Sequence, residues 1–69
     1  MLTTLINVLD YYLKACKNEQ EKRDQRTFFD LAFGAAQYHV WLLPADQQEV
    51  EELWNYYKPQ FEELVYGVA

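Results

Sequence analysis

The segment 27–43 reads Thr-Phe-Phe-Asp-Leu-Ala-Phe-Gly-Ala-Ala-Gln-Tyr-His-Val-Trp-Leu-Leu, and it constrains the chain more than any other stretch. Wound as an α-helix at about 100° per residue, it keeps only a narrow polar strip made by Asp30, Gly34 and Gln37. Its apolar remainder covers roughly 220°, against the ~100° or somewhat more of a helix with one face in water. A helix apolar over that arc needs neighbours on several sides. A chain of 69 residues has few of its own to offer. The segment therefore predicts self-association through this helix, with Phe29, Phe33, Gly34, Tyr38, Val40 and Trp41 in the contact.

The length allows one domain, 1–69, near the size at which a single core barely suffices. The chain compensates with 51% hydrophobic and 17% aromatic residues. Only two Gly and two Pro are present, which disfavours disorder and loop-rich folds and points to an all-α class.

Three helices account for the periodicity. The first opens at a Thr3 or Thr4 cap and runs over about 3–17, with Leu2, Leu5, Ile6, Leu9, Tyr12, Leu13 and Cys16 along one face. Asn18 and Glu21 have the spacing of a capping box and start the second helix near residue 19, giving 19–43. Thr27 followed by Asp30 offers a later start. Pro44 ends the second helix. Asp46, with Glu49 three residues on, caps a third over 46–66, whose seam is Val50, Leu53, Trp54, Tyr57, Phe61, Leu64 and Val65. Pro59 falls inside it and predicts a kink or a 3₁₀ turn, and Gly67 ends it. Short connections imply a small antiparallel three-helix arrangement, up-down-up, and the apolar second helix makes it a homodimer.

The distribution of charge says more than the net value of −5. Residues 1–45 balance five acids against five bases, whereas 46–69 carry six acids and only Lys58. Binding directly to a nucleic-acid backbone needs the opposite sign. Glu49, Glu51, Glu52, Glu62 and Glu63 fall mainly away from the third helix's seam, as a solvated face or as an acidic surface for a basic protein. No uninterrupted apolar run approaches the ~20 residues of a membrane span. The N-terminal Met-Leu-Thr-Thr-Leu-Ile-Asn has no basic region, so no export signal is read there, and the expected location is cytoplasmic.

Catalytic and metal chemistry find few residues. The chain has no Ser, one Cys and one His. Cys16 sits on the core face of the first helix near its C-terminus, where the dipole disfavours a thiolate. A zinc site needs three or four side-chain ligands at recognisable spacing, and HxxxH, ExxH and CxxC are all missing. No catalytic residue, metal or cofactor is assigned. His39 falls on the apolar arc, among Phe28, Ala32, Ala35 and Leu43. It suits either a packed neutral imidazole bonded to a carbonyl or carboxylate, or a pH-sensitive group at an interface, because burial disfavours the charged form. Trp41 is harder to place: the wheel puts it inside the polar strip with Gly34, flanked by Tyr38. Tyr11, Tyr56 and Tyr66 also point off their core faces.

The expected function is a non-enzymatic protein–protein interaction module that self-associates through its second helix. Two rivals belong to other classes: an acidic regulator or inhibitor of a basic, nucleic-acid-binding protein, and a small-ligand binder with an aromatic pocket around His39.

Overall fold

The computed structural model describes residues 2–67, and among them the chain is all-helical, without strands. Helix α1 spans Thr3–Asn18, α2 spans Lys22–Leu42, a single 3₁₀ turn follows at Pro44–Asp46, and α3 spans Gln47–Tyr66. Helix α2 packs against both of the others, which touch each other less.

The faces read from periodicity meet in one core, except that Ile6 of α1 stays exposed. Leu5, Leu9, Leu13 and Cys16 of α1 are buried with Ala32 and Ala36 of α2 and with Val50, Tyr57, Phe61 and Val65 of α3. Around them, Phe29 stacks on Phe61 with ring centres 5.4 Å apart and on Trp54 at 6.0 Å, while Tyr12 meets Phe28 at 6.3 Å. The wide apolar arc of α2 is thus divided between two partners. Phe28 turns towards α1, and Phe29 and Phe33 turn towards Trp54 of α3. Much of the arc that implied a missing neighbour is covered within the chain.

The helix ends differ from the capping signals. None of the three helices has a side-chain N-cap bond. Thr3 is the first residue of α1 and caps nothing. Asn18 ends α1 instead of opening α2, which starts at Lys22, between the two expected positions. The capping-box reading fails because Glu19 takes over the turn: its Oε1 accepts from the backbone N–H of Gln20 (3.0 Å) and of Glu21 (3.3 Å). Thr27 lies within the helix, its hydroxyl donating back to the Arg23 carbonyl at 3.1 Å. Asp46 precedes α3, but its carboxylate is engaged by His39. Helix α3 runs through Pro59 without the expected 3₁₀ turn; Asn55, whose carbonyl the proline leaves unpaired, is exposed to water. Gly67 ends α3 at φ +75°, a left-handed conformation that favours glycine.

The α1–α2 corner rests on a buried polar residue. Gln25 donates through Nε2 to the carbonyls of Cys16 (3.2 Å) and Glu19 (3.0 Å), while the Cys16 thiol lies 3.5 Å from the Gln25 carbonyl. One side chain therefore reaches the Glu19 carbonyl and adds a second donor to that of Cys16, which already accepts the backbone N–H of Glu19. Two further contacts join α3 to the other helices: Lys22 Nζ donates to the Leu64 carbonyl at 2.7 Å, and the Tyr57 hydroxyl donates to the Asp10 carboxylate. Burial first, and that carboxylate second, push the Tyr57 phenol well above its ordinary range.

Two predictions follow from these contacts. Gln25→Ala removes both bonds, leaving the Glu19 carbonyl without this donor while that of Cys16 keeps the Glu19 N–H, and lowers unfolding free energy by about 1–3 kcal/mol in denaturant titration; an unchanged midpoint contradicts the stapling role. Tyr57 is held neutral in the folded state, and its unfolded pKa is the lower of the two. Its contribution is therefore complete below about pH 10 and is lost as pH rises through the folded value. Thermal melts from pH 8 to 11 should show wild type losing stability more steeply than Tyr57→Phe. Parallel curves would remove the linkage.

Candidate functional site

The shortest extent of the molecule, 16 Å, is little more than one and a half helix diameters, so each helix keeps a side towards water. The outward side of α2 is the unusual one. Trp41 is 74% exposed and Tyr38 60%, and the two rings stack on each other at 5.9 Å rather than on the core. Leu31, Phe33, Leu42 and Leu43 are also among the exposed residues of the second half of α2 and its following corner.

Along Trp41 runs a groove between α2 and α3 of about 470 Å³. Phe33, Val40 and Trp41 form one wall, Val50 and Trp54 the other, and Gln37, Gln47 and Glu51 supply its polar groups. Trp54 holds Phe33 with ring centres 5.6 Å apart, and Gln47 Nε2 donates to Glu51 Oε2 at 3.1 Å. At the other end of the same α2–α3 seam lies a second groove of about 530 Å³, with Lys22, Arg23, Arg26, Thr27 and Asp30 on α2 facing Val65 and Tyr66. Arg26 lies over the Tyr66 ring, 5.8 Å from its centre.

Gly34 follows Phe33 of the aromatic groove and is exposed; a Cβ built there meets nothing within 4 Å. Within this chain no close contact calls for a glycine, yet one in a helix interior costs roughly 0.5–1 kcal/mol relative to alanine.

The residues expected at an interface separate into two groups. Phe33, Gly34, Tyr38 and Trp41 are exposed. Phe29 and Val40 are half-buried and pack on the core; Phe29 is held by Phe61 and Trp54, which the wheel of α2 alone does not show. His39 does not line the aromatic groove. It is half-buried, with Nε2 2.8 Å from Asp46 Oδ2, and because a carboxylate only accepts, the imidazole N–H donates. Its contact is the corner between α2 and α3. Cys16 is fully buried, and desolvation raises its pKa despite the opposing charge of Lys22, so its thiol is a core group. Glu49, Glu51, Glu52 and Glu63 are exposed and Glu62 half-buried; of the five, only Glu51 borders the groove.

Two residues at these places were not singled out from the sequence. Trp54 was read only as seam, but it forms part of the groove wall as well. Gln25 belongs to none of the apolar positions, although it lies seven residues before Ala32, on the same line of the wheel as the buried alanines.

Among the described residues no group of three His, Cys, Asp or Glu side chains is placed to hold a metal ion, and no helix is long and apolar enough to cross a membrane. Comparison of the chain with protein families, with characterised proteins and with solved structures finds no match.

Proposed function

We propose that this chain is a non-enzymatic interaction module that associates with a second copy of itself through the outward face of α2. The observation that carries this reading is Trp41, three-quarters exposed and stacked on an equally unsupported Tyr38. Tryptophan and tyrosine bring large apolar area to a contact at little conformational cost, and they are favoured as central interface anchors. Here they stand next to a groove walled by Phe33, Val40 and Trp54, so a partner meets both a ridge and a depression. Gly34, with open space around it, lets another backbone come close.

The same reading takes the helices as antiparallel neighbours, supported at one end by Lys22 on Leu64 and at the other by His39 on Asp46. A non-enzymatic role is supported by chemistry: the thiol is buried with a raised pKa, and the imidazole is engaged by Asp46 and lines neither groove.

The test is the absolute mass by light scattering over a concentration series, for wild type and for Trp41→Ala. Wild type should be dimeric, and Trp41→Ala should weaken association by more than tenfold, as loss of an interface anchor does. Its thermal midpoint, measured where both chains are monomeric, should hardly move, because Trp41 buries little within the chain. Equal masses for the two proteins would remove Trp41 from the contact, and a wild-type monomer throughout would overturn the self-association reading.

A further inference from the structure

The two grooves lie on the same seam, one basic and the other aromatic with an acidic edge. We propose that a second copy of this chain binds antiparallel across Gly34, seating the basic groove of each copy on the aromatic groove of the other. The inference rests on the self-association reading above and specifies its geometry.

Three observations carry it. First, the exposed stripe of α2 is centred on Gly34: Arg23, Thr27, Asp30, Tyr38 and Trp41 all fall within roughly 40° of it on the helical wheel. Second, open space at Gly34 makes this the point of closest approach available to another helix. Third, the charges on either side differ in sign. The basic groove carries Lys22, Arg23 and Arg26 against the single Asp30, whereas Glu51 is the one ionised group bordering the aromatic groove.

A twofold axis near Gly34 exchanges positions equally distant from it. Thr27 then faces the second copy's Trp41 and Asp30 its Tyr38, while Arg26, on the flank towards α3, comes level with the second copy's aromatic groove, where Glu51 lies across from that Trp41. Arg26 already lies over one aromatic ring, Tyr66, and the second copy's Trp41 offers another beside a carboxylate. Each favourable pairing occurs twice, because a twofold contact is self-complementary. A parallel pairing would instead set Arg23 on Arg23 and Arg26 on Arg26, with no carboxylate exchange, and would bring like charges together.

The experiment is a charge swap read by sedimentation equilibrium. Arg26→Glu and Glu51→Arg should each raise the dimer dissociation constant about tenfold. The chain carrying both should return to within about threefold of wild type, because the pair is re-formed with its signs exchanged. That rescue separates pairing between copies from loss of the Arg26–Tyr66 contact, which the double variant also lacks. Gly34→Leu should weaken the dimer at least as much while leaving the monomer's melting midpoint no lower, since the added side chain meets open space. Dimers indifferent to single reversals, or a double variant weaker than either, would overturn the antiparallel seating and leave self-association standing. A Gly34→Leu chain that dimerises like wild type would overturn the crossing at Gly34. If wild type is monomeric at every concentration, both this inference and the reading beneath it fall.

Discussion

Two helices cannot enclose a third. That constraint shapes everything else in this chain, because α2 is the element on which both α1 and α3 depend for their burial. Ala32 and Ala36 form a thin, fully covered line along its inner side, so the helices can approach until Leu9 and Phe61 lose all contact with water. Phe28 on one flank and Phe29 on the other then divide the apolar arc between the two neighbours. The side opposite the alanines has no helix left to cover it, and it carries Tyr38 and Trp41. The core and the exposed aromatic patch thus have the same cause.

Polar contacts in this molecule serve the corners. Gln25 closes the end of α1, and His39 with Asp46 spans the turn between α2 and α3. Helix ends carry unpaired backbone groups. In this chain, side chains from neighbouring elements meet some of that need, and the residues with the strongest local capping signals are used elsewhere. Asn18 stays within α1, Thr27 bonds back into its own helix, and Asp46 holds a histidine. A capping box is a local preference worth about 1 kcal/mol, and a tertiary contact of similar strength displaces it.

Charge separates along the seam in the same economical way. The bases of the early part of α2 gather at one groove, and the more acidic second half of the chain leaves Glu51 at the other. Neither Cys16 nor His39 lines either groove. The two grooves share one seam and carry opposite signs at its two ends, and the proposed pairing of two copies rests on that difference.

The helical class, the three segments and nearly every core position were legible in the sequence, because apolar spacing of period 3.6 is a property of the chain itself. Leu5, Leu9, Leu13 and Cys16 on α1, and Val50, Tyr57, Phe61 and Val65 on α3, are buried where that spacing puts them. The outward position of Trp41 followed from the same wheel, since it shares the strip of Asp30 and Gly34. Tertiary structure alone decided three matters. It set how much of the apolar arc of α2 is covered within the chain, which depends on where Trp54 and Phe61 of another helix arrive. It made Gln25 a buried staple, because the carbonyls it reaches belong to α1 and the turn that follows it. It also gave Asp46 to His39, a choice between a local cap and a partner seven residues away that no local pattern contains.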